Sequence, residues 1–438
     1  MEDLRITGLT LFNVGVFEHL ELSFEKLPLE DKAEIHIFTG ENGTGKSTLL
    51  EALTSFDRFF NPYLQNDKHT SLNEDILIQK TRKVIGEGEK KPNVKISFPN
   101  REMRSYPNHH GNYYTNMDHT NMDYFTSYYA DNANFNNYHT YNFFAYKGHR
   151  QISDSKVEAF RKIEFNPIAE ALMFNKTTVN ENLFQWIANN KTRAALSFQK
   201  GNIKDSENYL RTMKKVETAI GEIIDRKVEF IVDEHSLNVM VNLDDKPIHF
   251  STLADGYKSV ISWLTDLMFR LDYMPEEGRE NFTLFLDEID VHLHPAAQRR
   301  ILPVIQKLFP KAQIFLTTHS PFVIGSVDDA WIYKFKLDEN RNSVLDGPPV
   351  RSEDGNSYRY IVESIFGIKK QFGEEVETKL DNFNTMRTEV LKNPSDTQLL
   401  KKLVKSSREL ASQSIELQSI IGNELKQLSR ILKTEITM

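Results

Sequence analysis

The chain has 438 residues, enough for two or three folding units with sizeable cores. Lys and Arg number 54 against 62 Asp and Glu, and the net charge of −8 argues against a broad nonspecific nucleic-acid surface while leaving room for a local basic groove. The absence of cysteine excludes disulfides, iron–sulfur clusters and thiolate zinc; with no run of 18 apolar residues and no signal-peptide pattern at the start, a cytoplasmic protein without membrane association is expected.

Leu4 to Leu11 and Leu20 to Phe24 alternate apolar and polar around a turn at Gly15–Phe17, and Glu34–Thr39 is β-rich. The pattern predicts two strands feeding a third at the edge of a mixed sheet. That third strand runs into Gly40-Glu41-Asn42-Gly43-Thr44-Gly45-Lys46-Ser47-Thr48, and Ser47–Leu53 reads as a helix. The match to G-x-x-x-x-G-K-[ST] is complete and sits in the strand–helix context the motif requires. Its glycines let successive backbone N–H groups face phosphate oxygens, and the helix start adds positive charge. Asn42, Gly43, Thr44, Gly45, Lys46, Ser47 and Thr48 are therefore expected to bind the phosphates of ATP. Lys46 would reach the β- and γ-phosphates, and Ser47 would be a ligand of Mg²⁺.

Polar connecting sequence then leads to a strand at Val94–Phe98. Residues 100–140 are dense in Asn, Tyr and His without a helical or strand period, which predicts an insertion loop. An aromatic contact surface for nucleic acid or a partner is the sharper alternative. His109, His110, His119 and His139 lack a recognisable metal-ligand spacing. Tyr141–Tyr146 reads as a buried strand and 155–226 as a helical lobe, followed by paired strands at 227–232 and 237–241.

Ser251–Ser259 opens an apolar helix through Leu271. Thr283–Leu286 is a continuous apolar strand ending in Asp287-Glu288, a helix starts at Pro295, and Gln313–Thr318 is a second buried strand ending at His319. With Trp331–Phe335 as a further strand, this alternation predicts a mostly parallel sheet covered on both faces. Beyond about 356 the apolar residues from Leu399 to Leu432 recur at three- and four-residue steps, an amphipathic helical tail interrupted at Asn393-Pro394. Its apolar stripe can pack back on its own core or dock another chain.

The residues after the phosphate loop set the chemistry. Asp287 is placed to hold Mg²⁺ opposite Ser47, and Glu288 to polarise a water in line with the γ-phosphate. His319 leaves the end of a buried strand, where it can meet that phosphate or water. His292 and His294 read as structural or dimer-contact residues rather than a metal pair.

This set resembles the ABC-type ATPases, and most of all the branch holding SMC-like, RecF-like and OLD-family ATPases. The resemblance is carried by the phosphate loop, Leu253-Ala254-Asp255-Gly256-Tyr257, Leu284-Phe285-Leu286-Asp287-Glu288-Ile289-Asp290-Val291-His292-Leu293-His294-Pro295, and Thr317-Thr318-His319-Ser320-Pro321. It covers residues 1–60 and about 250–335. It implies an α/β P-loop NTPase head with a mixed, largely parallel sheet, a helical insertion lobe and a helical C-terminal tail. Together with the patterns above, it gives the expected divisions: 1–99 and 251–340 as the two parts of the head, 100–140 as an insertion, 141–250 as the lobe with connecting strands, and 341–438 as the helical region.

By position, the resemblance makes Gly40–Thr48 the Walker A loop, Asp255 and Gly256 part of the signature motif, and Asp287 with Glu288 the Walker B pair. Residues 289–292 fall at the D-loop, His319 becomes the switch histidine, and Gln151 the nearest Q-loop glutamine, with Arg150 and His149 as alternatives. It implies a head-to-tail dimer, or an oligomer of dimers, sandwiching two ATP molecules. Ala254 departs from the family, where a serine hydroxyl contacts the γ-phosphate; Ser251 or Lys258 could compensate, and slow hydrolysis is expected. Within the branch, the ATPase subunits of Septu-type antiviral systems and their retron-associated relatives are most similar. They imply a separate nuclease effector of HNH type, since the tail offers no nuclease centre. A DNA-binding repair or chromosome ATPase, and an ATP-held scaffold that needs no turnover, are the alternatives.

Overall fold

The computed structural model describes residues 5–26, 31–55, 93–99, 142–148, 152, 154, 157, 160–168, 171, 172, 174, 182–233, 235, 236, 238–352, 358–368 and 370–436, and the backbone alone of 101–107 and 113–117. They divide into two compact units, residues 1–361 and 362–438.

The first unit opens with β1 (Gly8–Val14) and β2 (Phe17–Ser23), an antiparallel pair. The next strand, β3 (Glu34–Gly40), does not pair with them. It ends in the phosphate loop and leads into α1 (Lys46–Leu53). The expected common sheet edge is thus corrected: β1 and β2 belong to a separate five-stranded antiparallel sheet. Its order is β2-β1-β4-β5-β6, with β4 at Asn93–Phe98, β5 at Arg101–Pro107 and β6 at Tyr113–Met117. β1 and β2 mix buried with partly or fully exposed positions, which suits strands with one buried face, whereas β3 is buried at all but its first position. β5 and β6 also correct the reading of 100–140 as a loop throughout. Cross-strand pairing to β4, from Phe98↔Arg101 to Val94↔Ser105, supplies partners for a backbone whose Asn-rich composition carries no alternation. The cluster His109, His110, His119 and His139 lies outside the described residues.

The main sheet runs β14-β13-β3-β12-β11-β7, with β7 at Asn142–Lys147, β11 at Phe282–Asp287, β12 at Gln313–Thr317, β13 at Trp331–Leu337 and β14 at Ser343–Leu345. β7, β11, β12, β3 and β13 are parallel neighbours, while β14 and the short β15 (Val350–Arg351) pair antiparallel with β13. The continuous apolar runs of β11 and β12 are buried at every position, as strands covered on both faces must be. Aromatics fill the space between the two sheets: Phe24 packs edge-on against Phe315 (centroids 4.9 Å apart), and Phe285 and Phe315 stack at 5.6 Å. β14 and β15 place residues 343–351 with the first unit, so the helical region begins later than the expected residue 341.

The lobe is a helical hairpin, α2 (Asn182–Gln199) and α3 (Ile203–Ile224), capped where Asn202 Oδ1 accepts from Asp205 N. The described residues between 152 and 174 hold turns and extended chain, so the helical expectation fails there; helix period in a charged stretch is a weak signal without tertiary packing. β8 (Val228–Val232), β9 (Val239–Leu243) and β10 (Lys246–Ile248) form an antiparallel sheet of three. Further α-helices among the described residues of this unit are α4 (Asp255–Asp272), α5 (Glu276–Glu280), α6 (Pro295–Leu308) and α7 (Pro321–Ile324). α8 (Tyr358–Ser364) spans the boundary between the units.

In the second unit, α9 (Glu374–Lys392), α10 (Thr397–Ala411) and α11 (Ile415–Leu432) surround a core of Phe383, Val390, Leu403, Leu410, Ile421, Leu425 and Leu428. Asp396 starts α10 by accepting from the N–H groups of Gln398 and Leu399. The apolar stripe of the tail is therefore spent largely within the tail, in line with the expectation that it packs back on its own core.

Candidate functional site

The C-terminal ends of β3, β11 and β12 bring the site together. Gly40 leaves β3 with φ 144°, and Gly43 and Gly45 both have φ 82°. Only glycine adopts these angles without strain. At Gly45 a Cβ would also lie 2.6 Å from Phe17 and Val16, so the β1–β2 turn fixes the loop from one side. Ser343 fixes it from another, donating from Oγ to the Thr44 carbonyl at 2.7 Å.

Lys46 is buried, with its ammonium donating to the carbonyls of Gly40 (3.1 Å) and Glu41 (2.8 Å). Burial lowers its pKa, while Asp287, Glu288 and Asp290 act in the opposite sense. Asn42 and Gly43 are exposed at the loop's crest, Thr44 and Thr48 are buried beneath it, and Ser47 is half-buried.

Ser47 Oγ donates to Asp287 Oδ1 at 3.0 Å, although 240 residues separate them in sequence. A hydroxyl and a carboxylate converging in this way form a hard-oxygen pair, the donor chemistry suited to Mg²⁺ shared with phosphates. Glu288 follows, exposed and in the left-handed region at φ 54°. His319 is exposed just beyond β12. Crowding by protein lowers its pKa, and the Lys46 charge adds to the effect against Asp290 and Asp287, so the neutral imidazole is favoured at pH 7.

Sequence reasoning assigned no role to two further residues. Thr317 donates from Oγ1 to Asp287 Oδ1 at 2.7 Å and accepts from the Glu288 N–H at 2.7 Å. Thr318 donates to Asp290 Oδ1 at 2.6 Å. Two adjacent hydroxyls closing an apolar strand were the available signal.

The residues expected to form the signature motif sit at the start of α4. Ala254 occupies the cap position with no side-chain hydrogen bond, Asp255 is exposed, and Gly256 is buried against the His292 carbonyl, where a Cβ would collide. Ser251 is exposed and donates its N–H to Asp154, and Lys258 lies 3.6 Å from Asp255. His294 caps α6, its Nδ1 accepting from Ala296 N at 3.3 Å. Among the described residues no group of three or more His, Asp or Glu is arranged for a metal ion. Gln151, Arg150 and His149 lie outside the described residues.

A phosphate loop, an apolar strand beside it that ends in Asp287 and Glu288, and a helix start at Gly256 packed on the His292 carbonyl define a P-loop ATPase head. The family model described as "AAA domain, putative AbiEii toxin, Type IV TA system" matches residues 35–325, and the chain belongs to that family. A model described as "AAA domain" matches residues 4–65.

The "Retron Ec83 probable ATPase" of Escherichia coli is 25% identical over 232 residues, 52% of this chain and 41% of the relative. The "Septu protein PtuA" of Bacillus thuringiensis is 27% identical over 176 residues, 37% of this chain and 44% of the relative. The matched segments span less than half the length of these relatives. Among solved structures, an SmcHead bound to the C-winged helix domain of ScpA overlaps 79% of this chain and 98% of its own, at 15% identity and TM-score 0.43. The recombination mediator RecF overlaps 79% and 99%, at 14% identity and TM-score 0.37. Among the described residues no helix is long and apolar enough to cross a membrane.

Proposed function

We propose that this chain is the ATPase subunit of a bacterial antiviral defence system, hydrolysing ATP slowly and pairing head to tail around it to control a separate nuclease of HNH type. The observation that carries the hydrolysis reading is the convergence of Lys46, Ser47, Asp287 and Glu288 from two distant stretches of sequence on one sheet end. Loop N–H groups and Lys46 bind the triphosphate. Ser47 and Asp287 would hold Mg²⁺, which when bound would supply neutralisation of phosphate charge. Glu288 accepts a proton from the attacking water, giving ADP and phosphate. Neutral His319 hydrogen-bonds the γ-phosphate or that water.

The head-to-tail pairing draws support from the start of α4, where Ala254 and Asp255 are exposed and the helix start can complete a second chain's γ-phosphate cage. Ala254, lacking a hydroxyl, favours slow turnover and so a switch rather than a motor. The likeness to Septu and retron proteins supports the defence role. Glu288→Gln should cut phosphate release about 100-fold or more while nucleotide binding persists. Equal turnover in wild type and variant would contradict the role given to Glu288.

A further inference from the structure

We propose that Thr317 is a positioning residue for hydrolysis, and that it clamps the turn joining the metal-binding carboxylate to the catalytic carboxylate. The inference rests on the hydrolysis reading above and adds to it the group that sets the geometry. Asp287 and Glu288 stand at a strand end, where the ladder stops and only a few backbone bonds continue: Val291 N donates to the Glu288 carbonyl at 3.2 Å and Ile289 N to the Thr317 carbonyl at 3.3 Å. Glu288 nevertheless adopts φ 54°, a conformation that costs energy for a residue with a Cβ and persists only where its surroundings enforce it.

The enforcing contacts come from both flanking strands. On the β12 side, the buried Thr317 hydroxyl bonds to both residues at once, donating to Asp287 Oδ1 and accepting from Glu288 N, each at 2.7 Å. A single oxygen therefore relates the carboxylate that meets the metal to the backbone that aims the base. On the β7 side, Gly148 N donates to the Asp287 carbonyl at 2.6 Å, and a Cβ on Gly148 would run into the Glu288 carbonyl. Ser259 of α4 in turn donates its hydroxyl to the Gly148 carbonyl. The second clamp is thus an extension of the helix that begins at the signature residues.

Ser47 also donates to Asp287 Oδ1, and these two groups are the ones that would hold a cation. Thr317 then remains as the fixed partner of that carboxylate. Partners of a ligand at this remove typically tune metal affinity or activity by about 10- to 100-fold.

The test compares wild type, Thr317→Val and Thr317→Ser. Valine keeps shape and strand preference but loses the hydroxyl, and serine restores it. ATP turnover is measured against ATP and against Mg²⁺. Binding of a fluorescent ATP analogue is measured with and without Mg²⁺, and a thermal melt verifies folding. Thr317→Val should lower kcat by about 10- to 100-fold with KM for ATP unchanged. It should bind the analogue like wild type without Mg²⁺ and lose most of the tightening that Mg²⁺ confers. Thr317→Ser should recover both.

Wild-type turnover and Mg²⁺ response in the valine variant would overturn the proposal, as would equal impairment by valine and serine. A wild-type chain that binds the analogue without turnover would contradict the hydrolysis reading instead, and the Mg²⁺-dependent binding would still decide for or against the clamp. Should the valine variant misfold, Thr317→Ala carries the same expectations.

Discussion

His36, beside Phe315 in β3, illustrates how single residues tie pH to folding. Its ring is fully buried, with Nε2 2.6 Å from Glu34 Oε1 and Nδ1 3.2 Å from the Tyr333 hydroxyl. Burial lowers its pKa below the ordinary 6.5, and the hydrogen bond and charge of Glu34 only partly offset this. Burial alone would raise Glu34, but hydrogen bonds and charge from His36 and Arg5 outweigh it and hold that carboxyl below its usual range. The folded chain therefore binds a proton at His36 less readily than the unfolded chain. The stability this confers is complete above about pH 6.5 and is lost as pH falls through 6.5 toward the folded value. Thermal melts at about pH 7.5 and about pH 5.5 should show a drop in Tm that His36→Asn makes smaller, whatever that variant costs at both values. An unchanged pH slope in the variant would remove His36 as its source.

At the scale of elements, the turn between β1 and β2 and the start of α1 are one packed unit. Gly45 at the cap of α1 has φ 82° and lies against Val16 and Phe17. Gly45→Ala should cost about 1–3 kcal/mol in backbone strain alone, before the collision is counted. The measurements are a lowered Tm and weakened nucleotide binding.

The loop was legible in the sequence because a contiguous motif encodes it. So were β11, β12 and the helix at Pro295, because long apolar runs and a proline at a helix start are local signals. The split of β1 and β2 from β3 was not legible: all three alternate or run apolar, and only pairing partners distant in sequence distinguish their sheets. β5 and β6 were hidden for the same reason. Asp287 and Glu288 announced themselves, whereas Thr317 acts through a contact that spans 30 residues to Asp287 and leaves no spacing to read. Ala254, by contrast, was visible as a departure from the family pattern and stands at the cap of α4 without a side-chain bond.

For the whole molecule, the tail's own core makes separable behaviour the expectation. Leu403 is completely buried among tail residues, and Leu403→Ala should destabilise residues 374–432 by about 2–5 kcal/mol. Hydrogen exchange should quicken there while the phosphate loop still binds nucleotide. Quickened exchange across residues 34–40 and 313–317 instead would mean that the two cores unfold together.

Whether ATP joins two heads is read most directly from the mass of the purified full chain in solution, with and without ATP and Mg²⁺, for wild type and Lys46→Ala. Wild type should shift from a smaller to a doubled mass on adding nucleotide, and Lys46→Ala, deprived of the buried ammonium at the phosphates, should not. A mass that ignores nucleotide, or that doubles equally in Lys46→Ala, would contradict the account.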